Sequence, residues 1–256
     1  MTGDRRRRVR AVVPVVVGAV LVVGLWQLVV VIGGYPTYIL PDPATVLGRF
    51  VSAWLDGTMT AHAVATIVEI LLGFAVGLLA GLLAGYALAR SRTVNLVLSP
   101  YLVAAQSTPI LALAPLLVLW FGSGLLSKVV ICALIAFFPV AISTLVGLRS
   151  VDPGLLELGR SLRASPRQVL TTLEIPAALP TVMGGVRVAI TLAVVGAIVG
   201  EWTGADKGLG VLINLARGSL FDIPLMFATL LTIALIGVGL YGLTVVIERR
   251  LVGERD

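Results

Sequence analysis

Few residues in this chain could do chemistry, and their spacing narrows the choice. The one histidine, His62, has no nucleophile motif or second ligand near it, and the one cysteine, Cys132, lies in an apolar stretch and excludes an intrachain disulfide. Ser107, Ser127 and Ser143 stand in apolar segments, but without a histidine or a mid-segment aspartate beside them a hydrolase is a poor reading. Gly204, Gly208 and Gly210 form a glycine-rich run without the Lys-Ser/Thr of a phosphate loop, so they read as turn residues and the chain has no ATP site of its own. What remains is Glu69, Arg187 and Glu201, ionisable groups in or beside long apolar runs. Such groups are functional candidates by default.

The elements that must position them are membrane helices. The 256 residues are 58% hydrophobic and 12% charged, about half the charge of a soluble domain. A bilayer core of about 30 Å takes about 20 apolar residues per helix, and six segments qualify: 11–33, 61–89, 94–121, 127–148, 179–200 and 223–247. The first follows Arg5, Arg6, Arg7, Arg8 and Arg10; its apolar run is too long for a signal peptide and reads as a retained anchor. With the N-terminus inside, Arg90, Arg92, Arg149, Arg160, Arg163, Arg167, Arg249, Arg250 and Arg255 also fall on the cytoplasmic side. Together these are fourteen of nineteen basic residues, so both termini are expected in the cytoplasm. The net charge of +6 therefore reports orientation rather than nucleic-acid binding.

Within the second segment, Gly73, Gly77, Gly81 and Gly85 put a small residue on one helical face every four positions, which predicts close helix packing. Pro100, Pro109, Pro115 and Pro139 interrupt the third and fourth, so broken backbone facing a cavity is expected near Gln106, Ser107, Thr108 and Pro109. Those polar groups are candidates for a solute path, with Glu201. Trp120, Phe121 and Trp202 either anchor at the membrane interface or stack on a planar ring. Val46 to Leu55, after Leu40-Pro41-Asp42-Pro43, predicts a short surface helix.

Arg149 to Pro180 is longer and more polar than a connection needs. Asp152-Pro153 and Ser165-Pro166 are paired helix-start signals that predict short helices over 153–163 and 166–173, the second ended by Pro176. Glu157, Arg160, Arg163, Arg167 and Glu174 would each cost about 2.5–3.5 kcal/mol at the bilayer centre, so this pair lies at the surface. Leu155, Leu156 and Leu162 on one face make it a docking knob.

Glu157-Leu158-Gly159, Arg163 and Leu173-Glu174-Ile175-Pro176 resemble, in spacing, the Glu-Ala-Ala signature of permease subunits of bacterial ABC importers. Leu158 and Gly159 stand for its alanines, Leu173 and Ile175 for its isoleucine and leucine. Arg163 occupies the position of its glycine, which puts the turn geometry in question. Gln106 to Gly122, Phe138-Pro139, Ser161 to Gln168, Pro176 to Pro180, Gly200-Glu201 and Gly208-Leu-Gly210 are similar to the nitrate, sulfonate and taurine branch. Arg163-Ala164-Ser165 and Ala205 to Arg217 most resemble members assigned to riboflavin or thiamine-precursor pyrimidine uptake.

The resemblance implies an all-α polytopic membrane protein of about six spans, with the type I importer permease fold, in the bacterial inner membrane. It implies residues 1–60 as tail, first helix and outer loop, 61–248 as permease core and 249–256 as a cytoplasmic tail. It also implies a transporter subunit rather than an enzyme, working with a separate ATPase that binds ATP and magnesium, an extracytoplasmic substrate-binding protein and a second permease copy. Glu157, Gly159, Arg160, Arg163, Ala164, Ser165, Pro166 and Pro176 would form the ATPase-coupling segment. The same importer type for sulfonate, taurine or nitrate is an alternative. An ion-coupled secondary transporter is a more distant one, and neither internal repeats nor a chain of carboxylates supports it.

Overall fold

The computed structural model describes residues 2–253, with the side chains of residues 2–12, 15 and 160 left outside the description. The N-terminal arginine side chains, the Arg160 side chain and Arg255 thus lie outside the described residues. Among the described residues the chain is helical with no strand. Five helices among the described residues are long and apolar enough to cross a membrane, and a bent pair makes a sixth candidate.

The chain divides into two compact units, Met1–Thr60 with Leu212–Leu231, and Ala61–Val211 with Thr232–Asp256. In the first, α1 (Thr2–Gly33) carries the apolar window Val16–Gly33, and α2 (Pro43–Leu55) is the expected short amphipathic helix. Asp42 caps α2: its carboxylate accepts from the Thr45 amide at 2.9 Å and the Thr45 hydroxyl at 2.6 Å. Those donors hold the exposed Asp42 carboxyl below its usual range. Arg49 on α2 donates to Asp222 at 2.7 Å, and the other oxygen of Asp222 accepts from Leu225 N at the start of α11 (Ile223–Val252).

The second unit is built around α6 (Leu125–Arg149). The small-residue face of α3 (Thr58–Arg90) lies directly on it: a Cβ at Gly77 would stand 2.6 Å from Ala133 O, and one at Gly85 2.5 Å from Ala141 O. Only glycine allows backbones this close, and in lipid such packing replaces a hydrophobic drive between helices. On its other side α6 meets α9 (Ile175–Trp202), with Ile70, Cys132, Ala136, Val140, Ala189 and Ala193 buried in the shared core. The third expected span is broken. α4 (Arg92–Ser107) and α5 (Ile110–Phe121) meet at 93° across Thr108-Pro109, whereas Pro100, Pro115 and Pro139 stay inside their helices.

The polar segment differs from expectation at one point. α7 (Pro153–Ser161) and α8 (Pro166–Gln168) begin as predicted, but no helix ends at Pro176. A π-turn over Val169–Glu174, in which Ile175 N donates to Leu170 O, carries α8 without interruption into α9. The wider turn shifts the hydrogen-bond register by one residue, and Pro176, lacking an N–H, then sits in the first turn of α9 where none is required.

Candidate functional site: a capped helical turn and a buried polar node

The turn is assembled from local signals. Asp152 Oδ1 accepts from Gly154 N at 2.7 Å and starts α7. At the other end of α7, Ala164 N donates to Gly159 O at 3.0 Å, the six-to-one bond of a Schellman cap. That cap needs a left-handed residue just before Ala164, and Arg163 takes it with φ of +56°. The tight turn survives without its glycine. Ser165 then opens α8 through a reciprocal capping box: Ser165 N donates to Gln168 Oε1 at 2.8 Å, and Gln168 N to Ser165 Oγ at 3.3 Å. Gly159 is buried, and a Cβ there would stand 3.1 Å from Leu173 Cδ1, which fixes how closely α7 crosses the π-turn.

Outside this folded turn lies an exposed apolar face. Leu155, Leu158 and Leu162 are 44%, 55% and 74% exposed and line a groove of 380 Å³ with Val169 and Leu173. The expected set contained Leu156 in place of Leu158; Leu156 is half-buried. Glu157, Arg163, Ser165, Pro166 and Pro176 are exposed around the same turn, and Ala164 is half-buried. A buried carboxylate secures the turn to the bundle. Glu174 is buried and takes both terminal nitrogens of Arg90 from α3, at 2.9 and 2.5 Å. The Arg90 guanidinium also lies 5.1 Å over the Tyr86 ring.

At the far end of α3, α6 and α9 a second polar cluster is closed from solvent. Glu69, Lys128 and Glu201 are 3%, 5% and 2% exposed. Lys128 Nζ lies 3.5 Å from Glu69 Oε1, which supplies the partner that sequence alone could not assign. Glu201 accepts from the Thr66 hydroxyl at 2.5 Å and from the Gly210 amide. The Thr66 oxygen in turn accepts from Leu209 N at 2.8 Å. Two first-turn amides of α10 (Leu209–Arg217) are thereby satisfied at its N-terminus, where negative charge is favoured. His62 Nδ1, within 3.0 Å of Gly208 N, fastens the preceding loop and is structural, as its isolation suggested. Gly208 has φ of +139°, and any side chain there would strike the Glu201 carboxylate. Arg187 also has a partner, Glu248 on α11 at 3.3 Å.

The solute-path candidates are distributed differently. Gln106, Ser107, Thr108 and Pro109 are exposed at the α4–α5 break, Trp120 and Trp202 are 68% and 49% exposed, and Phe121 is 44% exposed. The hydroxyls of Ser107 and Thr108 donate to Val103 O and Ala104 O, which leaves only their acceptor capacity for anything else. Glu201 belongs to the closed cluster and not to this exposed set.

Long apolar helices, one bent pair among them, and a capped helix-turn-helix at one end of the second unit define a multi-pass membrane protein. The family described as binding-protein-dependent transport system inner membrane component matches residues 73–253, and the chain belongs to it: it is a permease subunit of an ABC importer. The riboflavin transport system permease protein RibX of Chloroflexus aurantiacus is 47% identical over 91% of this chain and 86% of its own length. The formylaminopyrimidine transport permease protein ThiX of Halalkalibacterium halodurans is 35% identical, over 91% and 92%. The putative aliphatic sulfonates transport permease protein SsuC of Bacillus subtilis is 33% identical, over 92% and 85%. In fold, the inward-facing MetNI methionine ABC transporter superimposes with a TM-score of 0.65 over 73% of this chain and 93% of the solved one, at 20% identity.

Proposed function

We propose that this permease couples ATP hydrolysis on a partner subunit to passage of a planar heterocycle, riboflavin or a thiamine-precursor pyrimidine, delivered by an extracytoplasmic binding protein. Two copies form the path, with residues 61–248 as the permease core and both termini in the cytoplasm. The arginine-bearing end, with Arg90, Arg149 and the 153–176 turn, then faces the ATPase, which holds ATP and magnesium. The observation that carries this reading is the turn itself. Its leucine face is solvent-exposed while its base is tied to α3 by Arg90–Glu174 and runs without a break into α9. A push on Leu155, Leu158 and Leu162 is delivered to a transmembrane helix instead of being absorbed by a flexible joint, and bistable helix packing converts it into inward- and outward-open states.

Glu157, exposed on α7, pairs with the ATPase. Arg160 and Arg167 add surface ion pairs of little individual weight. Gln106 to Pro109, Trp120 and Trp202 face the path. Glu157→Lys is expected to weaken ATPase co-purification while the permease stays folded in the membrane; unchanged co-purification and uptake would remove Glu157 from the interface. For the cargo, riboflavin uptake in vesicles bearing the full importer decides between the heterocycle and an aliphatic sulfonate. The sulfonate reading is supported by the 33% identical relative. Saturable ATP-dependent sulfonate uptake with no flavin uptake would reverse the assignment.

A further inference from the structure

Four helices of the second unit enclose an apolar slot that the transport reading does not use. Phe74, Leu78, Leu82 and Tyr86 form its α3 wall, Val182 and Val186 belong to its α9 wall, and its volume is 520 Å³. α6 and α11 complete it. The slot has a direction. Tyr86, Ile175, Ile247 and Leu251 are exposed and lie together where α3 and α11 end and α9 begins, whereas Met183 and Val186, deeper in, are buried. From Tyr86 to Phe74 it runs about 18 Å along α3 at 1.5 Å per residue. One leaflet of a bilayer core of about 30 Å is about 15 Å deep.

Cationic groups lie near the mouth of the slot, and Thr244, deeper in, spends its hydroxyl on Tyr241 O. Arg250 is exposed on α11 beside Leu251, and Arg90 covers Tyr86, whereas Arg249 lies on the other side of α11 in a separate pocket with Arg187 and Glu248. Thr144 lines the slot 5% exposed, and its hydroxyl is buried without a hydrogen-bond partner. A Cβ on Gly85 would stand 2.6 Å from Thr144 Cβ, which sets Thr144 at the level of Tyr86. A ligand matched to this site is apolar for one leaflet's depth, has an acceptor just inside the mouth and carries negative charge beyond it. We infer that the slot holds one acyl chain of an anionic phospholipid, with an ester carbonyl within reach of Thr144 and the phosphate beside Arg250. Because Ile175 and Leu170 also line it, the bound chain packs against the segment that joins the turn to α9.

Native mass spectrometry of the full chain, released from vesicles of phosphatidylglycerol and phosphatidylethanolamine in equal parts, tests this. One retained phospholipid per chain is expected, with phosphatidylglycerol preferred by about fivefold, the ratio that one basic residue near the surface gives. Val182→Trp fills the slot and should abolish retention, and Thr144→Val should reduce it. Leu79→Trp on the exposed face of α3 should leave it unchanged. Absence of retained lipid from the unsubstituted chain would overturn the assignment even if Val182→Trp fails to fold. Equal loss with Leu79→Trp, or a photo-crosslinker at Val182 that captures a second copy of the chain instead of phospholipid, would do the same.

Discussion

The polar node of Glu69, Lys128 and Glu201 and the helical turn at Arg163 stand at opposite ends of the same three helices. Glu69 and Arg90 are twenty-one positions apart on α3, about 31 Å of helix, close to the thickness of a bilayer core. The node is closed, and each of its three charged side chains is tied to a different chain segment. The turn is open: its caps are local, its leucines face outward and one partly exposed ion pair secures it. A closed end and an open end on one set of rods suit a lever. Force applied at the open end moves helices whose other ends are pinned.

The largest effect expected is loss of the pin. Lys128→Met leaves Glu69 as a buried carboxylate without its cation, and breaking a buried pair this way costs about 3–5 kcal/mol. Thermal unfolding in detergent should register it. Glu69→Gln combined with Lys128→Met should recover much of the loss, since it removes the unpaired charge as well. If Lys128→Met alone is as stable as the unsubstituted chain, the node is not a pin and the contrast between the two ends fails.

The two ends are unequally legible in the sequence, for physical reasons. The turn was legible because its signals are local: Asp152-Pro153 and Ser165-Pro166 place both helix starts within a residue. The spans and the Gly73 to Gly85 packing face were legible from hydropathy and period, and so was the break before Pro109. The node was not, because its bonds join distant positions: Thr66 and Glu201 are 135 residues apart. Hydropathy marks Glu69 and Glu201 as anomalous without saying which cation answers them. Arg90–Glu174 was hidden in the same way, across 84 residues. Pro176 misled because a proline normally ends a helix, and the shifted hydrogen-bond register of the π-turn, which no residue type announces, accommodates it.

The intermediate effect lies at the tie between the turn and the bundle. Arg90→Gln keeps a donor for Glu174 and removes the charge. Arg90 is 41% exposed, so the cost in stability is discounted to about 1–2 kcal/mol. The functional consequence should be larger. With its base loosened, the turn moves with the ATPase without carrying α9, so ATP hydrolysis persists in reconstituted vesicles while uptake falls. Equal decline of both activities would mean that the pair serves folding and not transmission.

The smallest effect tests whether the turn tolerates its odd residue at a cost. Arg163 occupies left-handed backbone, which disfavours a side-chain-bearing residue by about 1–2 kcal/mol. Arg163→Gly removes that penalty but frees the unfolded chain, which returns about 0.4–1 kcal/mol. The net is a gain of about 0.5–1 kcal/mol, a rise of a few degrees in the unfolding temperature of the isolated permease. Arg163→Ala separates the causes: it removes the guanidinium and keeps the Cβ, so it should bring no gain if backbone strain is responsible. Should both variants lose ATPase binding while only the glycine variant gains stability, the arginine is retained for its charge at the docking face, and strain in the turn is the cost of presenting it there.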